Sequence, residues 1–536
     1  MKIRYWLLPM VVFLAILSCK QKPQFSAPVL DPDLQGSINR YSKTTFDSTL
    51  VDSFFVKYSQ LAAYSDDIKK IYRGQKYHHL WYDENGLVEF ASSLFSKVKG
   101  IASEGVYKVF PYVNEIDGVF ESDVENKLTQ TETEIMISGM FLFYAENVYR
   151  GVDDKTAAAL EWLLPKKQVS YETVLDSMMQ NSGLLARNDS VLFAQYYKLK
   201  DLLKHYRDIQ KKGGWDTIAI DPKIKTYKLG DSAGAIVQIR ERLTKTGDLA
   251  VNSGSNIFDD ELLVAVNKYQ VRNGKSATKT ISQPLIKLMN VPLSENIKKI
   301  VVNMERWRWI SPEMANAKEY IFVNIPSYTL MFNRNGERAF ESPVVVGKSM
   351  SKTVVFSGNM SFVVFSPYWN VPPSILNNEV LPGIKKDKNY LAKHNMEWYN
   401  GQVRQKPGKN NSLGKVKFIF PNSNNIYLHD SPMKNLYGRD SRAFSHGCVR
   451  VGKPRDLAIE VLKNDPEWTP ENIDQAMNSG KEKWVALKEK IPVHIGYFTA
   501  WVNESGEIYF YEDIYDRDDR LYDILLGIDG ISAEQN

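Results

Sequence analysis

Apolar residues spaced four apart dominate the first third of the chain. Phe90, Leu94 and Val98 recur at that interval, and Ile137 to Tyr144 begins a second long apolar-faced segment, so residues 47–215 are predicted to form an all-α scaffold domain. Gly213-Gly214 and the Asp221-Pro222 turn close it. A small helical unit follows over 225–292, with Ile236, Ile239 and Leu243 on one helix and Phe258, Leu262, Val266 and Tyr269 on the next. Past Trp307-Arg308-Trp309-Ile310 the apolar period falls from near four to two. Strands are predicted at 320–326, 328–332, 344–347, 361–365, 416–420 and 425–429, with Asn335-Gly336 as a hairpin turn, inside a domain spanning 300–500. Pro372-Pro373 interrupts them, and the polar stretch from Ser374 to about Asn400 has a helical character. It predicts a cap inserted over about 374–410. Thr469 as N-cap with Pro470 at the first helical position signals a helix around 467–490, followed by an alternating strand from Pro492 to Tyr497. Residues 501–536 hold a hairpin and a tail to which no role is assigned. The predicted fold class is multidomain α+β: a helical scaffold, a small helical module and a mainly-β domain with a helical cap.

At the other end, Lys2 and Arg4 precede an apolar run from Tyr5 to Leu17, thirteen residues broken only by Pro9. A membrane-spanning helix needs about 20 residues, so 1–18 is predicted to be a signal peptide and the chain to be exported. Residues 19–46, with Pro23, Pro28, Pro32 and several serines, are predicted to be a tether. The net charge of +5 over 536 residues lacks the dense basic stripe that nucleic acid requires, so no nucleic-acid partner is expected. A hydrophobic content of 43% with 12% aromatic excludes a disordered chain.

Candidate chemistry is concentrated in His429-Asp430-Ser431-Pro432 and Ser445-His446-Gly447-Cys448-Val449-Arg450. A thiol with an ordinary pKa of about 8.5 is a weak nucleophile at neutral pH and needs a neighbouring histidine. His429 closes one predicted strand and Cys448 opens the next segment, so a side chain can reach across, whereas His446 would need a sharp turn to reach the sulfur. The successive amides of His446, Gly447 and Cys448 are suited to a concave nest for a developing oxyanion. Three readings stay open on the residues alone: cysteine catalysis, a zinc site built from His429, His446 and Cys448, and a buried structural thiol.

His429, a gap of fifteen residues and then Ser445-His446-Gly447-Cys448-Val449-Arg450 resemble the signature of the L,D-transpeptidase family. Glu305-Arg306-Trp307-Arg308-Trp309, Pro367 to Ile375, Arg404 to Gly408, Leu413 to Phe418 and Arg442-Ala443-Phe444 resemble its large, capped branch. Residues 225–292 are similar to a peptidoglycan-binding module, although Gly274 to Thr280 depart from its usual ending. The resemblance implies Cys448 as nucleophile, His429 as base, the backbone of Asp430 orienting His429, and the amides of His446, Gly447 and Cys448 as oxyanion donors. Tyr427 and Trp369 would line a donor groove, and Arg450 would hold the loop or meet a substrate carboxylate. It implies 3→3 cross-linking of peptidoglycan stem peptides with release of D-alanine, acylation by carbapenems, and no metal or organic cofactor. The alternatives are an L,D-carboxypeptidase or protein-to-murein attachment at the same site, or a non-catalytic murein-binding lipoprotein. Ile16-Leu17-Ser18-Cys19 resembles a bacterial lipoprotein cleavage box. That resemblance implies lipidation of Cys19 and a periplasmic protein anchored in a membrane, with the inner leaflet of the outer membrane favoured.

Overall fold

A computed structural model describes residues 42–528. The expected signal peptide, Cys19 and most of the tether lie outside those residues. Among the described residues, no helix is long and apolar enough to cross a membrane.

The scaffold is built around α1 (Gln130–Ala145), whose start is fixed by a capping box between Thr129 and Glu132 and whose body is almost wholly buried. A helix that is apolar all round belongs inside a bundle, and that is where α1 lies. The scaffold is not purely helical. A short hairpin pairs Tyr82–Asp83 with Gly86–Leu87, and β1 (Trp162–Leu163) leaves the scaffold to join the main sheet of the β region. The second long scaffold helix, α2 (Ala194–Lys211), packs against α3 (Leu293–Trp309). Helix α3 thus belongs with the scaffold and joins it to the β domain, which begins only at Glu319.

Residues 218–289 form a separate small core, with helices Gly234–Lys245, Asp260–Arg272 and Gln283–Met289 and a two-stranded ribbon of Thr226–Lys228 with Thr280–Ser282.

The β region contains β2 (Glu319–Asn324), β3 (Thr329–Arg334), β4 (Glu337–Gly347), β5 (Val355–Phe365), β6 (Trp369–Asn370), β7 (Met396–Tyr399), β8 (Gln402–Gln405), β9 (Val416–Ile419), β10 (Leu428–His429), β11 (Ala443–Ser445), β12 (Val449–Val451) and β13 (Lys483–Gly496). The main sheet runs β9-β10-β12-β4-β3-β2-β13-β5-β1, and β9 also pairs with β5, so the sheet closes on itself. Asn335 and Gly336 take φ values of 51° and 79°, the doubly left-handed turn predicted between β3 and β4. Residues 483–490, read as the end of a helix, are instead the first part of β13, and α4 is confined to Pro470–Asn478 behind its Thr469 cap.

The cap also differs from expectation. Short helices are present, but β6, β8 and β7 form a three-stranded sheet, with Asn400 and Gly401 (φ 49° and 77°) turning the β7–β8 hairpin. The cap has its own core of Val371, Val380 and Val403.

The C-terminal segment, given no role above, ties the domains together. β14 (Ala500–Val502) pairs with β15 (Ile508–Phe510), and the Gln195 side chain of α2 bonds both the amide and the carbonyl of Val502. Arg306 of α3 reaches Asp518, at the start of α5 (Asp518–Leu526), at 2.6 Å with both side chains buried. The motif around Glu305 thereby acquires a physical role. Glu305 accepts from the Val152 amide (2.6 Å), Trp309 Nε1 (2.9 Å) and Arg308 Nη1 (2.6 Å), while Arg308 also donates to the carbonyls of Val148 and Glu104. Removing one partner strands a buried charge. Glu305→Ala is expected to lower unfolding free energy by about 3–5 kcal/mol, read from urea denaturation.

Candidate active site

In the wall of the closed sheet, side chains alternate between two faces. Val363, Phe365, Val416, Phe418, Leu428, Val449 and Val451 face the common core. The residues between them face outward. Lys417 is directly opposite His429 across the β9–β10 pair, and His429 is in register with Arg450 across the parallel β10–β12 pair. Cys448 immediately precedes β12 and Tyr427 immediately precedes β10, each two residues before an outward-facing partner, Arg450 and His429. Tyr427, His429, Cys448 and Arg450 therefore converge on one outer face.

His429 is buried, and its Nδ1 lies 2.5 Å from the Asp430 carbonyl oxygen. A carbonyl only accepts, so Nδ1 carries the proton and Nε2 keeps its lone pair. Burial, then the charge of Arg450 and that of Lys417, depress the imidazole pKa to about 3 against the opposing effect of the Asp430 carbonyl. The imidazole is thus neutral at physiological pH, the state a general base requires.

Asp430 is held on all sides. Its carboxylate accepts from the amides of Lys415 (2.9 Å) and Ser431 (2.6 Å) and from Lys434 Nζ (2.5 Å), and its own amide donates to the Val416 carbonyl (2.9 Å). Gly414 makes this approach possible. It sits at φ 62°, and a Cβ there would come within 2.3 Å of the Asp430 carboxylate. Gly414→Ala is expected to cost about 2–4 kcal/mol of stability and to release the carbonyl that orients His429, seen as a lower denaturation midpoint together with lost turnover.

Cys448 is half-buried, and its thiol points toward the Asn425 carbonyl at 3.7 Å. Burial pushes the thiol pKa up, while the Tyr427 amide and hydroxyl and the Arg450 charge pull it back. The Tyr427 ring packs edge-on to His429 with centroids 5.6 Å apart.

The turn carrying the thiol depends on Gly447 at φ 116°, a conformation that disfavours any side chain although a Cβ there would meet the Lys352 carbonyl only at an ordinary 3.8 Å contact. Here the structure corrects the expectation of three free amides: the Gly447 N–H donates to Ser445 Oγ (3.1 Å), whose hydroxyl in turn donates to the Cys448 carbonyl (2.6 Å). The amides of His446 and Cys448 have no acceptor among the described residues. Thr353 braces the turn from beneath, donating to the Gly447 carbonyl (2.8 Å), while its own amide bonds the Tyr515 hydroxyl (3.0 Å).

Two sequence-predicted site residues lie elsewhere. The His446 side chain turns outward to Glu379 of the cap, Nε2 to Oε1 3.6 Å. Trp369 packs into the cap core. With the His446 ring directed to Glu379 of the cap, the zinc triad is not assembled, and no group of three or more His, Cys, Asp or Glu side chains fit to hold a metal occurs among the described residues. Residues missed from sequence include Gly414, Thr353 and Lys417. For Lys417 the local signals are its place in the Leu413 to Phe418 segment and its alternation within Val416-Lys417-Phe418, neither of which reveals the strand opposite.

Comparison with known proteins gives two family matches along the chain. Residues 318–473 match the L,D-transpeptidase catalytic domain family, and residues 66–203 match the Scaffold domain family. The β region, with its thiol and imidazole on one face, therefore matches an L,D-transpeptidase catalytic domain. A Haemophilus influenzae protein carrying the name "Putative L,D-transpeptidase" is 37% identical over 44% of this chain and 51% of its own, so the chain spans about half the length of this curated relative. Among solved structures, the L,D-transpeptidase from Mycobacterium smegmatis is 12% identical over 34% of this chain and 59% of that one, with a TM-score of 0.20. The L,D-transpeptidase from Stackebrandtia nassauensis is 14% identical over 50% of this chain and 94% of that one, also with a TM-score of 0.20. Overlaps this low add nothing to the argument.

Proposed function

We propose that the protein forms 3→3 cross-links between peptidoglycan stem peptides through a thioester on Cys448. The observation that carries the reading is the bond from His429 Nδ1 to the Asp430 carbonyl, which leaves Nε2 as the proton acceptor on the face shared with the thiol. As Cys448 attacks the carbonyl of the third stem residue, its proton passes to Nε2. Charge building on the carbonyl oxygen is received by the amides of Cys448 and His446, with the Gly447 amide joining only if it exchanges its Ser445 partner. The tetrahedral species collapses with cleavage of the C–N bond. D-alanine leaves with the proton returned by the imidazolium, and Cys448 keeps the acyl group. A stem amine then enters, gives its proton to Nε2 and displaces the thiolate, which recovers that proton. No step calls for a metal or an organic cofactor.

Arg450 lies beside both reacting groups, and its charge favours the thiolate over the thiol. Tyr427 bonds toward the sulfur and bounds the groove. The body operates in the periplasm, tethered by lipid on Cys19 to the inner leaflet of the outer membrane, and the unit at 225–292 keeps it close to the glycan.

The deciding experiment mixes the soluble body with a purified disaccharide-tetrapeptide and follows the products by mass spectrometry. A dimer lighter than two monomers by one alanine supports the reading. Tripeptide alone makes the enzyme an L,D-carboxypeptidase under those conditions. No change, with Cys448 unmodified, overturns the reading in favour of a non-catalytic murein-binding protein.

A further inference from the structure

One row of side chains crosses the sheet through the site in direct register: Trp484, Val364, Lys417, His429, Arg450 and Val345. Direct partners in a sheet share a face, so all six project outward together. Lys417 and Arg450 flank His429, and neither has a carboxylate. The half-buried ammonium of Lys417 makes no hydrogen bond or ion pair among the described residues, and its recorded contact is with the Trp484 ring, Nζ 5.3 Å from the centroid. Glu482, whose charge reaches Lys417, is already engaged by the Tyr368 amide (2.9 Å) and Trp484 Nε1 (3.1 Å). Arg450 donates to the Met433 sulfur at 3.4 Å and has a buried Nε without a partner.

A cation withdrawn from water without a counter-ion is destabilising unless a ligand supplies the charge. Two such cations here lie beside a base whose proton affinity they depress. Resting on the transpeptidase reading, we infer that Lys417 is a specificity-determining residue that receives a carboxylate of the donor stem peptide.

A stem can offer that carboxylate from its C-terminal D-amino acid or from the side chain of its third residue. Pairing it with the Lys417 ammonium supplies the missing counter-charge. A neutral amide at the same position leaves the ammonium unpaired, so the site would select against amidated donors.

The test uses three donor tetrapeptides: the free acid, the C-terminal amide and the third-residue side-chain amide. Binding is measured to the full folded body carrying Cys448→Ala, and kcat/KM to the body with Cys448 intact. One amidated donor is expected to be roughly ten- to hundredfold poorer than the free acid, the range for a charge-assisted hydrogen bond, and which one it is identifies the carboxylate. Lys417→Met is expected to bring that ratio near one, and Lys417→Arg to preserve most of it. Equal handling of all three donors by the body with Lys417 intact overturns the inference without relying on any variant's folding. A Lys417→Met protein that melts normally, slows on every donor and keeps the ratio also overturns it. Discrimination in binding with no release of D-alanine would leave Lys417 as a carboxylate receptor and overturn only the proposed function.

Discussion

Cys448→Ala leaves a folded protein with no acyl transfer. The thiol is half-buried at the edge of β12 and makes only weak sulfur contacts, with the Asn425 carbonyl at 3.7 Å and with the Tyr427 amide and hydroxyl, so replacing it with a methyl group disturbs little packing. Chemistry, by contrast, loses the proposed nucleophile, and turnover is expected to fall by about 10³-fold or more, to the level of the uncatalysed reaction. Intact-protein mass spectrometry after exposure to a carbapenem checks this directly: the parent protein gains one adduct mass and the variant none. An adduct on the variant, or retained D-alanine release, would place the nucleophile elsewhere.

His429→Gln is expected to lower kcat/KM by about 10²–10⁴-fold, the usual contribution of a positioned general base, while Cys448 remains open to alkylation. The pH dependence separates this role from a merely structural one. In the folded protein the imidazole pKa lies at about 3, against 6.5 when unperturbed. The base therefore stays unprotonated as pH falls from 7 to 5, and kcat/KM shows no acid limb from His429 until well below pH 5. An acid limb near pH 6 would contradict this. Linkage supplies a second readout. Between pH 6.5 and about 3 the unfolded chain takes up a proton that folded His429 refuses, so stability declines as pH falls through that window. His429→Gln should flatten that decline by about one proton, measured as the pH dependence of the denaturation midpoint.

How much of this was legible in the chain can be judged from particular residues. The Asn335-Gly336 turn was readable because only a few residue types accept two successive left-handed conformations. Asn400-Gly401 carries the same signal and was passed over, since the polar residues before it mimic a helix surface and the cap's strands are only two to four residues long. Residues 483–490 resemble a helix because Lys, Glu and Ala are helix formers, whereas Lys483 to Ala486 are held extended by pairing with β5, and the register with β5 shifts before Ile491. The tail was unreadable for a different reason: the Tyr515 hydroxyl and the Asp518 carboxylate gain meaning only from partners far away in sequence, Thr353 and Arg306.

From sequence alone followed the succession of helical and β regions, the candidacy of His429 and Cys448 and the need for glycine at 447, because periodicity, motif spacing and turn chemistry are local properties. Only tertiary structure decided that His429 is held neutral with Nε2 free, that Ser445 takes the Gly447 amide, that His446 faces the cap and that Lys417 stands opposite His429. Those outcomes depend on strand register and burial, which arise when segments distant in sequence close into one sheet, and a one-residue slip of β9 would have sent Lys417 to the other face.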